Sequence, residues 1–306
     1  MSLPKATVSV GKVTQGAELS VRDTLTVIDI TGKDFCISFS RVYGTITTFS
    51  HGSTTVISEG PRMNFWRPVI DNDRYEKDAW KNKGLHIMQH RIDDVEIDLL
   101  DKSTVRVKVQ SFVGTPGRDC AMVCEYWYTI SGDGQVSIDV NGFPRGDVPK
   151  LPCIGLVMGV PASFNKVKWY GRGPGESYSD SKAAGLVDVF SMPVEQLHTP
   201  YVRPQANGNR TDVRWVSLTN KNGAGLYVSG SPLFNFSAHR YSDVDCEKAR
   251  HDVELPKRDQ ITLHLDHLMR GLGSASCGPG PLPQYIVEPK PFAFSMQMQI
   301  LNKTEK

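Results

Sequence analysis

Short runs in which apolar side chains fall at every second position, each closed by a turn rich in Gly, Asp or Asn, recur through this chain and constrain its fold more than any other feature. Side chains of an extended strand alternate between two faces, so such a run buries one face and wets the other, which a helix of 3.6 residues per turn does not do. Phe35, Ile37 and Phe39 alternate with Cys36, Ser38 and Ser40; Tyr43-Gly44 then turns the chain into Ile46–Phe49, and His51-Gly52 turns it into Thr54–Ile57. This reads as a three-stranded antiparallel meander. Ahead of it, Thr24–Ile30 is the best strand candidate, though its alternation is loose. Four longer runs follow, at 88–99, 104–112, 121–130 and 135–140, the last two joined by Ser131-Gly132-Asp133-Gly134, a strong hairpin signal. Runs at 153–160, 165–170, 213–218, 225–229, 233–238, 260–267 and 292–300 continue the pattern, with Ile261, Leu263 and Leu265 facing inward.

Two helices are expected, both short. Arg74–Lys83 stops at Gly84, which lacks the Cβ that penalises a left-handed C-terminal cap, and Asp243–His251 follows Ser242, whose hydroxyl suits an N-cap. Asn141–Pro149, dense in Gly and Pro, reads as a crossover between sheets. An antiparallel set this large has to close or double up to protect its edges, so the fold class is all-β, a large antiparallel two-sheet sandwich. The whole chain, 1–306, reads as one domain, with 1–23 a leader or connecting segment that opens on an added-looking Met1-Ser2-Leu3, and 24–301 the body.

With Lys and Arg at 35 and Asp and Glu at 33, the net charge of +2 supplies neither a basic field for nucleic acid nor an acidic tail. No stretch approaches the ~20 apolar residues of a membrane helix, and the start has no apolar core for secretion. A cytoplasmic chain without nucleic-acid or membrane partners is expected. The six cysteines, at 36, 120, 124, 153, 246 and 277, show no paired metal-ligand spacing and read as small core residues in a reducing compartment; Cys120 and Cys124 share one strand face.

Two stretches carry a different cargo: Trp169-Tyr170-Gly171-Arg172-Gly173-Pro174-Gly175-Glu176-Ser177-Tyr178 and Pro200-Tyr201-Val202-Arg203-Pro204-Gln205-Ala206-Asn207-Gly208-Asn209-Arg210-Thr211-Asp212. Gly and Pro punctuate both so densely that they read as loops. Arg172, Glu176, Arg203 and Arg210 admit two readings, as pairs that pin long loops against a sheet or as groups that meet a ligand.

These stretches, together with Met269-Arg270-Gly271-Leu272-Gly273-Ser274-Ala275-Ser276-Cys277-Gly278-Pro279 and with Pro61-Arg62-Met63-Asn64-Phe65-Trp66-Arg67-Pro68 followed by Asp71-Asn72-Asp73, resemble the C-terminal domain of β-galactosidases of glycoside hydrolase family 2. The same piece occurs as the small chain of two-chain enzymes. Order and spacing match from about Thr24 to Ile300. The resemblance implies a galactose-mutarotase-like super-sandwich, a partner that carries the catalytic (β/α)₈ barrel, a β-galactoside substrate such as lactose, and an oligomeric complete enzyme. It implies no cofactor in this chain; Mg²⁺ and Na⁺ belong to the complete enzyme, if anywhere.

A glycosidase needs two carboxylates flanking the scissile bond. Asp71, Asp73, Glu176, Asp180, Asp212 and Asp266 are available, and no spacing singles out a pair. In the family the catalytic glutamates lie in the barrel, of which this chain shows no βα alternation, so no catalytic residue is assigned here. The family's loop at Ser274–Pro279 reaches the sugar site, which makes Ser276 and Cys277, with Gln205 and Asn207, the candidate substrate-binding rim. Many members have Trp where Cys277 stands, and Glu is expected where Ala206 stands; a thiol offers little stacking surface, and no role that needs the missing carboxylate carries over. The alternative is a free-standing carbohydrate-binding or aldose-epimerase-like module, in which a His acid and a Glu base act on a hexose. Of His51, His86, His90, His198, His239, His251, His264 and His267, none sits in an epimerase signature, and His264 and His267, three apart on a strand, face opposite ways. The glycine-containing segments lack the Lys-Ser/Thr ending of a phosphate loop.

Overall fold

The computed structural model describes residues 16–302, so residues 1–15 of the expected leader or connecting segment 1–23, Met1-Ser2-Leu3 among them, lie outside the described residues, while its end, Ser20–Asp23, is strand. A five-stranded antiparallel sheet comes first, in sequence order: β1 (Ser20–Asp23), β2 (Val27–Thr31), β3 (Phe35–Ser40), β4 (Thr45–His51) and β5 (Thr54–Ile57). The meander expected from the sequence forms its last three strands. The loose run at 24–30 is half turn: the Thr24 hydroxyl donates to Val27 O at 2.7 Å and accepts from Val27 N at 3.0 Å, closing a hairpin whose first arm, β1, precedes it. Ile28, Ile30, Ile37 and Phe39 are fully buried, as strand alternation requires, and a register shift between β3 and β4 lets Ile46 and Phe49, three apart, be buried as well.

The second sheet holds twelve strands. In chain order they are β6 (Glu59–Asn64), β7 (Gln89–Asp101), β8 (Thr104–Gly114), β9 (Cys120–Ser131), β10 (Val136–Gly146), β11 (Cys153–Pro161), β12 (Lys166–Gly173), β13 (Leu186–Pro193), β14 (Arg210–Thr219), β15 (Gly225–His239), β16 (Gln260–Met269) and β17 (Phe292–Leu301). The main path runs β13-β12-β14-β15-β17-β10-β9-β8-β7. It branches at β15, whose first half (Gly225–Ser231) pairs β17 and whose second half (Asn235–His239) pairs β16, which leads on to β11 and β6. Apolar rows cross the strands in register: Val107, Tyr128, Ile138 and Met296 in one, Trp169, Val216, Val228 and Met298 in another. The two sheets meet through such rows, with the Phe39 ring edge-on to Tyr128 at 5.0 Å.

The helices are shorter than the sequence pattern suggests. α1 (Lys77–Lys83) starts after an irregular turn and ends as expected on Gly84, at φ 73°, which donates to Lys81 O. α2 (Asp243–Lys248) has Ser242 as its N-cap, accepting from Asp245 N at 3.2 Å, and stops where Ala249 turns extended.

Several expectations about the strands need correction, and three of the failures involve Gly or Pro inside a strand. Asn141–Gly146 is no crossover but the second half of β10, paired with β9 throughout. Its Gly142 is needed because a Cβ there would meet the Phe292 ring at 2.0 Å, and beyond Gly142 β17 has departed, leaving Pro144 at a free edge that tolerates it. Trp169–Gly173 is likewise strand rather than loop, the end of β12. The runs at 225–229 and 233–238 are one strand, with Pro232 where β17 has let go and β16 has not begun. β1, β6 and β13 were not anticipated at all. The all-β, two-sheet class stands.

Deleting the Phe39 ring from between the sheets should cost about 3–5 kcal/mol; a Phe39→Ala variant is expected to show that loss in urea unfolding, against well under 1 kcal/mol for the exposed Leu25→Ala.

Candidate functional site

Four irregular segments gather where the large sheet branches: 65–76 after β6, 174–181 after β12, 198–209 before β14, and 270–286 after β16. They are held by charge. Arg67 and Asp73 are 4% and 1% exposed and join through two bonds, Nη1–Oδ2 at 2.7 Å and Nη2–Oδ1 at 3.0 Å. Burial works against the Arg67 charge, but the Asp73 carboxylate more than reverses it, so the guanidinium pKa lies above its ordinary value. Arg270, also buried, pairs with Glu76 at 2.5 Å. Both guanidinium carbons lie 5.8 Å from the Trp80 ring centroid, so the buried indole of α1 has a cation on the 65–76 segment and another on the 270–286 segment.

The second and third segments are pinned to each other. Glu176 accepts from the Tyr201 hydroxyl and, through Oε2 at 2.7 Å, from Gly208 N. Arg210 donates to Pro174 O and Gly208 O and lies over Trp169, and burial lowers its pKa to about 10. Arg172 and Lys182 both reach Asp212. The pinning reading therefore describes Arg172, Glu176 and Arg210; Arg203 is exposed and makes no side-chain hydrogen bond among the described residues.

The candidate rim residues fall into two groups. Gln205 is half-buried and its Oε1 accepts from Asp71 N at 3.1 Å, while Ser276 and Cys277 are exposed on the last segment. Asn207 is buried, and its amide is taken up inside the fold: Oδ1 accepts from Thr199 N, and Nδ2 donates to Gln205 O and the Tyr241 hydroxyl. Its contacts are those of a loop-shaping residue. Ala206 lines, with Gln205, a small cavity of about 30 Å³ whose wall includes His239, His264 and Asp266, room for about two waters. Gln205 also borders an open cavity of about 180 Å³ walled by Asp71, Lys77, Lys81 and Arg203.

Of the carboxylates available, Asp73, Glu176, Asp180 and Asp212 all have partners within the chain. Asp266 is fully buried, which pushes its pKa up to about 7. His239, bonded to Asn207 O, is held down to about 4 by burial. Burial also opposes charge on His264, but Asp243, 3.3 Å from its Nε2, raises it to about 9. Among the described residues no group of three or more His, Cys, Asp and Glu is placed to hold a metal ion. No helix among the described residues is long and apolar enough to cross a membrane.

Sequence reasoning named Asn72 only within a motif and Asp180 only as an available carboxylate, and missed that they join the 270–286 segment to its neighbours: Asn72 Nδ2 donates to Gly273 O and its Oδ1 accepts from Ser276 N, both at 2.9 Å, and Asp180 Oδ2 accepts from Gly273 N at 2.7 Å. The Asp71-Asn72-Asp73 motif was visible, but nothing in the sequence said which chain segment it met.

A large antiparallel sandwich with a loop-built polar face is a scaffold that many proteins use, and the loop motifs narrow it. A family model described as beta galactosidase small chain matches residues 31–298, and the chain belongs to that family. A β-galactosidase of Priestia megaterium is 31% identical over 83% of this chain and 24% of its own length, and one of Vibrio cholerae is 30% identical over 86% and 26%. This chain thus spans about a quarter of the length of these relatives. Among solved structures, a galactose 1-epimerase from Lactobacillus acidophilus is similar over 93% of this chain and 97% of its own, with a TM-score of 0.46 and 12% identity. That likeness carries no argument about activity.

Removing one partner of the buried Arg67–Asp73 pair leaves a charge uncompensated, so Asp73→Asn is expected to cost about 3–5 kcal/mol in urea unfolding. A second outcome concerns pH. The folded pKa of His264, about 9, exceeds the ordinary 6.5, so its contribution is complete below pH 6.5 and lost as pH rises through 9. Between pH 7 and 9.5 stability should fall by about 2 kcal/mol from this group. Buried thiols such as Cys124 act in the same direction, so the check is the difference between wild type and Asp243→Asn, whose slope should be flatter.

Proposed function

We propose that this chain is the C-terminal part, or the small subunit, of a cytoplasmic β-galactosidase that hydrolyses terminal non-reducing β-D-galactosides such as lactose. In this reading the catalytic glutamates belong to a barrel outside this chain, and the chain completes the active-site rim and the oligomer interface. The observation that carries it is the family match over 31–298 combined with the convergence of the four motif segments on one face, where Gln205, Ser276 and Cys277 stand available. Asn207 supports that rim from inside, by fixing the Gln205 backbone. The internal partners of Asp73, Glu176 and Asp212, each bonded through both oxygens, support a role without catalysis, because a carboxylate fully engaged in loop anchoring is poorly placed to exchange protons with a substrate. The cytoplasmic assignment is supported by six cysteines that all stand unpaired.

A free-standing aldose-epimerase-like module is the competing reading, and the small size of the cavity beside His239 and His264 weighs against it. At about 30 Å³ it is far smaller than the ~300 Å³ and upward of pockets that enclose ligands.

The test is hydrolysis of a chromogenic β-galactoside. The purified chain alone is expected to be inactive, and addition of a barrel-containing large chain should produce turnover. Activity of the chain alone overturns the proposal; silence of the mixture, with mutarotation of galactose by the chain alone, favours the module.

A further inference from the structure

We propose that Asn72 and Asp180 are positioning residues that clamp the 270–286 segment at Gly273 and so hold the Ser276–Cys277 edge towards a bound galactoside. The inference rests on the reading that this edge meets substrate.

From Gly271 to Gly280 the chain forms neither helix nor strand, and Ala275 is its one fully buried side chain. Apolar burial therefore does little to fix it. The bonds from Ser274 N to Pro279 O, 3.0 Å, and from Cys277 N to Ser274 O, 3.1 Å, shape the loop but attach it to nothing. Attachment at its tip comes from outside. Gly273 is gripped on both backbone groups, its N–H by Asp180 and its carbonyl by Asn72, and the other end of the Asn72 amide takes the Ser276 N–H. Only an amide offers a donor and an acceptor in that fork; a carboxylate supplies the acceptor alone. Gly273 is itself constrained, because at φ +61° a Cβ would come within 2.5 Å of Pro281 N.

The two clamps are rigid in turn. Asn72 sits between Asp71, whose N–H meets Gln205, and Asp73, fixed by buried Arg67, so its side chain has little freedom to turn away. Asp180 follows Tyr178, whose N–H bonds the Ser181 hydroxyl at 2.9 Å and whose carbonyl accepts from Ser181 N at 3.0 Å. Three of the four segments thus converge on one glycine, and the Ser276–Cys277 edge lies three and four residues beyond it.

The experiment follows hydrogen exchange at individual amides in the isolated chain. In Asn72→Ala the Ser276 amide should exchange roughly tenfold faster, the effect of losing about one hydrogen bond against local opening, with β16 amides unchanged. In Asp180→Ala the same is expected at Gly273, whereas Asp180→Asn, which retains an oxygen acceptor, should return towards wild type. An unchanged Ser276 amide in Asn72→Ala overturns the clamp. If Asn72→Ala does not fold, Asn72→Asp, which keeps the Ser276 acceptor and loses the Gly273 donor, should still accelerate labelling of the exposed Cys277 thiol, and an unchanged labelling rate counts against the proposal. A second arm mixes each variant with a barrel-containing large chain. KM for galactosides with a bulky leaving group should rise severalfold in Asn72→Ala and stay near wild type in Asp180→Asn. Faster exchange with unchanged KM and kcat overturns the positioning role. Should the wild-type mixture itself be inactive, it is the subunit reading that fails, and the exchange arm still decides the clamp.

Discussion

Two opposite charges inside the protein, Arg67 and Asp73, cannot be separated without leaving one of them unpaired in a medium that solvates it poorly, and the four loop segments are arranged around that constraint. The bidentate geometry matters as much as the charge. Two parallel bonds fix the plane of the guanidinium, and the third bond to the Asp73 carboxylate, from Ile70 N at 2.9 Å, closes the turn that presents Asp71 and Asn72 outward. Trp80 extends the arrangement: it packs near Arg67 and Arg270 alike and anchors its own indole N–H on Lys150 O at 2.6 Å. A charge pair, an indole and a second charge pair thereby connect α1 with segments on either side of it.

Such a centre also explains why the segments need no regular structure. Helices and strands satisfy backbone groups among themselves, but a loop has to find partners elsewhere. Here side chains supply them: Glu176 for Gly208 N, Asn207 for Thr199 N, Asn209 for Ser177 O, Asp180 for Gly273 N. Asn, Asp and Glu are frequent in these motifs because short polar side chains reach neighbouring backbone with few rotors to immobilise. The polar richness that suggests a binding face in the sequence is largely the cost of ordering one.

That double meaning sets what was legible in advance. Period-two alternation placed the core strands, and Gly84 and Ser242 marked helix ends correctly, because those signals depend on local geometry alone. Gly142, Gly171 and Pro232 were misread because their roles are non-local. Gly142 makes room for the Phe292 ring, Gly171 leaves clear the space where a Cβ would meet Val213 Cα at 3.0 Å, and Pro232 lies at a change of strand partner. A rule that treats Gly and Pro as chain punctuation assumes an unbranched sheet, and this one branches. At the site, the family motifs brought the right segments together, yet Asn207 turned out to face inward. Which side of a loop a residue presents is decided by partners such as Tyr241 and His239, more than thirty positions away.

The exposed end of the arrangement has the weakest support. Arg67 and Trp80 are locked by burial, whereas Ser276 and Cys277 hang from three hydrogen bonds, each worth only about 1 kcal/mol net. Local opening of such a segment lies within reach of thermal fluctuation even when the sheet beneath is stable, so stability of the sheet and order at this exposed edge are separate properties of one chain. A thiol at 277 contributes little contact area of its own, and this places the burden of orientation on the backbone that carries it. In an edge built this way, the residues that decide its order include ones far from it, and they are found by asking which buried charge ultimately fixes the backbone that carries it.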